Sequence, residues 1–193
     1  MPEITGLREV SASNVLVELD GAPWRKISLN AAARAGLSVG KRLEREDLRL
    51  LGRELRRAEA LNKATRMLAR RPLSRALLED RLQKKGVAPI AREEAIEVLE
   101  QARYLNDQSY ALERAASLAE RGYGDVAVHY TLEQERVDSE LIELAVAALE
   151  PELERAWAMT TKIPDRKRLL GRLARRGFSA ETIGILAERE IFD

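Results

Sequence analysis

One segment recurs three times along the chain without a gap, and this recurrence limits the fold more than any other feature. LARRPLSRALLEDRLQKKGV spans 68–87, LAERGYGDVAVHYTLEQERV spans 118–137 and MTTKIPDRKRLLGRLARRGF spans 159–178. Leu68, Leu118 and Met159 align, as do Leu78, Val128 and Leu169. Leu82, Leu132 and Leu173 form a third column, and Val87, Val137 and Phe178 a fourth. Ser74, Gly124 and Asp165 share a column four residues before the first apolar position of a helix, where N-cap residues belong. Gly86 and Gly177 share a stop column suited to left-handed backbone, whereas Arg136 replaces glycine in the middle copy, so that stop must be made differently.

Beyond each segment a third helix is expected, started by Asp138 or Ser179, with inner faces Ile96-Leu99, Ile142-Val146 and Ile183-Leu186. The first copy carries four extra residues before that helix, around Ala88 to Ala91. Each repeat thus reads helix–turn–helix–turn–helix. A single unit of this size has a thin core, so stacking in an elongated array would share it. The expected fold is mainly α, with three tandem three-helix repeats at 60–105, 106–150 and 151–193. A connecting helix at 44–59 precedes them, part of a long helix that reaches Arg70 or Arg71 before Pro72 ends it. Leu48, Leu51, Leu55 and Ala58 give its apolar face, interrupted by Gly52. Residues 1–43 read as a small β-meander plus a short helix. Ile4–Val10, Val15–Leu19 and Trp24–Ser28 are the strands, Asp20-Gly21 is a hairpin turn, and Leu29–Ala35 is a helix stopped by Gly36.

Charge is distributed unevenly. The net charge is +2 over 1–59, +4 over 60–105, −7 over 106–150 and +2 over 151–193. An acidic middle between basic flanks suits a partner of mixed charge better than it suits a uniform nucleic-acid clamp. The absence of cysteine removes disulfides and thiolate metal sites and fits a reducing cytoplasm. No window resembles a membrane span or a signal peptide, so no membrane partner is expected.

The stretch LNDQSYALERAASLAERGYGDVAVHYTLEQERVD, residues 105–138, resembles the central signature of RecX proteins through Asp107, Tyr110, Ala111, Arg121, Gly122, Gly124 and Leu132. Arg70 to Ser74, opening the segment to Gly86, resembles the first RecX repeat, and Arg175-Arg176-Gly177-Phe178-Ser179 resembles the C-terminal one. The likeness covers about residues 60–190. It implies a curved helical array, expected as a monomer in the cytoplasm. It also implies a non-enzymatic regulator that binds the RecA recombinase and its single-stranded-DNA filament and inhibits RecA activity, with weak direct DNA contact compatible. The alternative is a DNA-binding regulator using one repeat as a helix-turn-helix, against which the acidic second repeat argues. A small helical enzyme is the third class.

Three basic groups are the candidate partner-binding residues. Arg66, Arg70 and Arg71 close one helix, and Arg81, Lys84 and Lys85 close the next. Lys162, Arg166, Lys167, Arg168, Arg172, Arg175 and Arg176 crowd the last repeat. Arg70, Arg71, Lys84, Lys85, Arg168, Arg172, Arg175 and Arg176 are the expected filament contacts, since guanidinium and ammonium groups pair with phosphates or carboxylates. The bland account makes them helix-end dipole partners and a solvated face. Among the tyrosines Tyr104, Tyr110, Tyr123 and Tyr130, Tyr110 is expected in the core. Tyr123, between two glycines, is the best candidate for exposure, with packing still favoured over base stacking. His129 is expected to be structural. Gly40-Lys41-Arg42 lacks the glycine and hydroxyl partners of a P-loop, and no catalytic, cofactor or metal constellation is expected.

Overall fold

The computed structural model describes residues 1–160 and 165–188. It divides into two compact units, Met1–Arg71 with Glu79–Tyr104, and Pro72–Leu78 with the described residues from Leu105 onward.

The first unit opens with a three-stranded antiparallel sheet in the order β1 (Ile4–Ser11), β2 (Asn14–Leu19), β3 (Ala22–Ser28). Asp20 and Gly21 both take positive φ, 50° and 82°, as a two-residue turn between right-twisted strands requires. Val15 and Val17 point inward with Ile4 and Ile27, and α1 (Leu29–Arg34) closes over them through Ala32. The chain at 40–43 then runs along the outer edge of β1, hydrogen-bonding Ile4 and Pro2, so that edge is covered. Lys41 pairs with Asp47 and Arg42 with Glu3, which gives the Gly40-Lys41-Arg42 triplet a structural use.

The long helix α2 (Arg45–Leu68) starts on a capping box between Glu44 and Asp47 and passes through Gly52 unbroken. Its buried residues are Leu51, Glu54, Ala60 and Ala64; of the expected face Leu51 is buried and Leu55 packs beside the sheet core, while Leu48 is 44% exposed. Glu54 is tolerated inside because Arg34 and Arg57 reach it. Next come α3 (Arg75–Lys84) and α4 (Pro89–Gln101). Ala60 of α2 meets Ala91 and Ala95 of α4, small residues that let the two helices approach closely, and Arg53 and Arg57 pair with Glu94 beside them.

The second unit holds α5 (Asp107–Glu120), α6 (Asp125–Gln134) and α7 (Ser139–Ala147), around Tyr110, Ala111, Leu118, Val128, Leu132 and Ile142. After them α8 (Glu152–Trp157), α9 (Arg166–Arg175) and α10 (Ala180–Glu188) enclose Ala156, Leu169, Leu173, Phe178 and Leu186. The structure is therefore mainly helical, with ten helices among the described residues and the small sheet at its N-terminus.

The repeat columns have the predicted local roles, with two corrections. Ser74 Oγ accepts from Leu77 N, Asp165 from Arg168 N, and Gly124 takes extended backbone ahead of α6. The stop is not made differently in the middle copy: Arg136 itself adopts φ 56°, beside 70° at Gly86 and Gly177. All three copies close with the same pair of bonds, such as Val87 N to Leu82 O, Val137 N to Leu132 O and Phe178 N to Leu173 O. This Schellman closure fixes the left-handed residue whatever its side chain. The four extra residues of the first copy do not precede its third helix. Ala88 stands in the cap column of Asp138 and Ser179, Pro89 is the first helical residue, and the extra length lies within α4.

Candidate functional site

The cation clusters predicted from sequence occupy different settings. Arg70 and Arg71, just past the end of α2, and Arg81, Lys84 and Lys85, at the end of α3, converge with Met67 around one open pocket of about 410 Å³. Arg70, Arg71, Lys84 and Lys85 are exposed, and no ion pair among the described residues involves them. Arg66 differs, because its guanidinium folds back onto the Asn62 carbonyl.

On α9, Arg166, Lys167, Arg168, Arg172 and Arg175 are exposed while Leu169 and Leu173 are fully buried. The positions 168, 172 and 175 lie one turn apart on the solvent side, as the spacing implies. Arg166 reaches the Ala187 carbonyl at the end of α10. Lys162 lies outside the described residues. Arg176 is set apart from the others. Its guanidinium donates to the Arg121 carbonyl at 3.0 Å and stacks over the Tyr123 ring, 4.6 Å from the centroid. Tyr123 is accordingly half-buried, and the exposed tyrosines are Tyr104 and Tyr130, at 76% and 61%. Tyr110 is buried and donates its hydroxyl to Glu135. His129 bridges Glu133 and Glu143 on the flank of α6, a structural placement.

What sequence reasoning missed is a repeated junction inside the second unit. Ser74 Oγ donates to the Glu135 carbonyl at 2.6 Å, and one repeat later Gly124 N donates to the Arg176 carbonyl at 2.9 Å. In both cases the cap of a second helix meets the last carbonyls of the next second helix. Arg75 N donates to Asp107 and, in the matching place, Asp125 N donates to Glu152, both at 2.7 Å. Each acceptor is the first residue of the following repeat's first helix, and each donor is an orphan amide at a helix start. Glu152 also accepts from Ser179 N, Ser179 Oγ and Thr182 Oγ1. Burial would raise its carboxyl, but these hydrogen bonds, Ser179 first, hold it below the ordinary glutamate value. Burial pushes the neighbouring Asp125 carboxyl up against the opposing pull of Arg155, whose guanidinium also reaches the Tyr123 carbonyl. The signal in the sequence was an acid at the first position of α5 and of α8, but only the fold shows which amide each one meets.

No group of carboxylates, histidines and cysteines among the described residues could hold a metal ion, and no described helix is long and apolar enough to cross a membrane. Successive three-helix repeats bearing surface cation groups place the chain in the class of helical-repeat proteins. Comparison narrows the class. Residues 60–99 match the RecX first three-helix domain. A regulatory protein RecX from Syntrophotalea carbinolica is 30% identical over 142 residues, 66% of this chain and 93% of that one. One from Deinococcus radiodurans is 30% identical over 141 residues, covering 68% of each chain. The fold matches a crystal structure of regulatory protein RecX with a TM-score of 0.83 over 98% of this chain and 100% of that one, at 15% identity. A RecX structure from Lactobacillus salivarius matches with a TM-score of 0.62 over 69% of this chain and 95% of that one, at 18% identity. The chain belongs to the RecX family of regulatory proteins.

Proposed function

We propose that this protein binds the RecA recombinase assembled on single-stranded DNA and lowers its ATP hydrolysis and strand exchange, with no catalysis of its own. Family membership supports the reading, and the observation that carries it is the set of exposed cations without acidic partners at Arg70, Arg71, Lys84 and Lys85. Arg168, Arg172 and Arg175 form a second outward group on α9. Unpaired cations held at the surface of a folded unit offer charge-assisted contacts to an anionic assembly without any rearrangement of the core. Arg176, used at the junction, contributes there mainly by fixing Tyr123. The acidic second repeat, with Glu133, Asp138, Glu140 and Glu143 all exposed, favours a nucleoprotein partner over naked DNA.

The test is DNA-dependent ATP hydrolysis by RecA filaments as this protein is titrated in. Hydrolysis should fall to a plateau with rising protein. A rate unchanged at saturating protein refutes the reading.

A further inference from the structure

We infer that the pocket between the ends of α2 and α3 is a sequence-independent site for the phosphodiester groups of a single strand of nucleic acid. The inference rests on the filament-binding reading and names the component of the filament that this pocket meets. Its lining is Met67 with Arg70, Arg71, Arg81, Lys84 and Lys85, and no carboxylate is part of it. Many other cations of this unit are neutralised locally. Arg34, Arg53, Arg57, Lys41 and Lys63 each lie against an aspartate or glutamate of the same unit, and those without a partner among the described residues, such as Arg45 and Arg56, do not converge on a pocket with other cations. Lys84 or Lys85 alone would suit the end of a helix dipole. Five cations from two helix ends facing one concavity exceed that need and repel one another until an anion enters.

The lining also says which anion. No aromatic ring, amide or hydroxyl side chain lines the pocket, so nothing there can stack on a base or read its edge. What remains is charge, arranged as planar guanidinium forks beside ammonium point charges over the apolar Met67 side chain. A carboxylate is planar and is satisfied by one such fork. A phosphate offers oxygens in several directions and can use cations from both helix ends at once. The site is concave, and a flexible single strand can dip its backbone into it, whereas the phosphates of a duplex lie on a stiff convex cylinder.

The experiment is fluorescence anisotropy of labelled oligo(dT) with the full chain and no RecA, over about 50–200 mM salt. Four phosphate contacts predict a log–log salt slope near about −2.8, an affinity loss of about fifty-fold across that range. Lys84→Ala with Lys85→Ala should reduce the slope by about 1.4 and the loss to about sevenfold. Arg45→Ala with Arg49→Ala removes the same charge outside the pocket and should leave the slope in place. All four side chains are exposed, so the thermal midpoint should hold in both variants. An unchanged slope in the Lys84, Lys85 variant overturns the inference. So does equal, equally pocket-dependent binding of a polyglutamate peptide, which would make this a protein dock. Saturation by inorganic pyrophosphate with no pocket-dependent binding of oligo(dT) overturns it as well, in favour of a free-phosphate site. RecA hydrolysis measured with the same variant separates the two readings. An unchanged oligo(dT) slope with hydrolysis still inhibited removes only the pocket, while a reduced slope with no effect on RecA by the wild-type protein removes only the filament reading.

Discussion

Replacing Gly124 by alanine should break the junction at the start of α6. The backbone there, φ −81° and ψ 172°, suits any residue, so conformational preference is not the issue. Space is the issue. A Cβ at this position would stand 2.3 Å from Phe178 Cα and 2.4 Å from both Gly177 O and Phe178 N. All three are backbone atoms, and ordinary contact needs a displacement of the whole 177–178 segment by about an ångström. That segment is held by Gly124 N to Arg176 O and by Val126 N and Ala127 N to Gly177 O. Overpacking of this kind costs about 1–3 kcal/mol, and loosening one or two of these bonds adds about 1–2 kcal/mol. The expected loss is about 3–4 kcal/mol, or roughly 10 °C in thermal midpoint for a chain of this size. Gly184→Ala is the control: it lies inside α10 with nothing within 4 Å of the added carbon. It should stabilise by about 0.5–1 kcal/mol. Urea and thermal unfolding followed by circular dichroism measure both. A Gly124→Ala protein within about 0.5 kcal/mol of wild type would refute the close-contact account.

Arg168, Arg172 and Arg175 changed together to alanine should leave the thermal midpoint nearly unchanged, since exposed charges contribute about 0–1 kcal/mol per pair, while co-sedimentation with RecA–DNA filaments weakens and loses salt dependence. Wild-type binding by that variant at moderate salt would reduce the α9 group to a solvated face. Glu152→Gln replaces a carboxylate that accepts four hydrogen bonds and should cost about 1–3 kcal/mol at neutral pH. Because the folded value of Glu152 is depressed, its contribution is present above the unfolded value and is lost as pH falls through the folded one. The gap between variant and wild type in urea melts should therefore narrow as pH falls below the ordinary glutamate value and through the depressed folded one, and a constant gap would contradict the assignment. Arg103 holds φ 57° after α4, so Arg103→Gly relieves about 1–2 kcal/mol of left-handed strain against about 0.5–1 kcal/mol of added chain entropy. A small rise in midpoint is expected, and a fall would show that the arginine side chain contributes more than its backbone costs.

Much of the fold was legible because its signals are local. Asp20-Gly21 announces the hairpin, and the spacing of Leu78 and Leu82, or Leu169 and Leu173, announces helices whichever neighbours they pack against. Where the reading failed, a bond pattern or a long-range neighbour decided. Arg136 looked unable to close a helix, yet the bonds Arg136 N to Glu133 O and Val137 N to Leu132 O impose its conformation. Tyr123 looked exposed between its glycines, but Arg121 and Arg176 approach its ring, the second of them from more than fifty positions along the chain. The cation pocket was half visible. Arg70-Arg71 and Lys84-Lys85 were each evident as charges at a helix end, but only the turn between α2 and α3 brings the two ends around one concavity.

The junctions show why the repeats are similar in pattern and different in sequence. One column serves two purposes, starting a helix and meeting the next repeat. At Ser74 the second purpose is met by the hydroxyl, which donates to the Glu135 carbonyl from beyond its own Cβ, so the side chain itself fills the gap between the backbones. At Gly124 the amide makes the equivalent bond directly to the Arg176 carbonyl, so the two backbones must touch and no Cβ fits. Ser and Gly are near equals as helix caps, with a difference of only a few tenths of a kcal/mol, and a comparison of cap preference would treat them as exchangeable. Across the junction they are not exchangeable, because a hydroxyl makes the contact at one and the bare backbone amide makes it at the other, where a Cβ would strike Gly177 and Phe178. The cap column therefore answers to the contact across the junction as well as to the helix start, and at this column the difference between Ser74 and Gly124 follows from which atom, hydroxyl or amide, makes that contact.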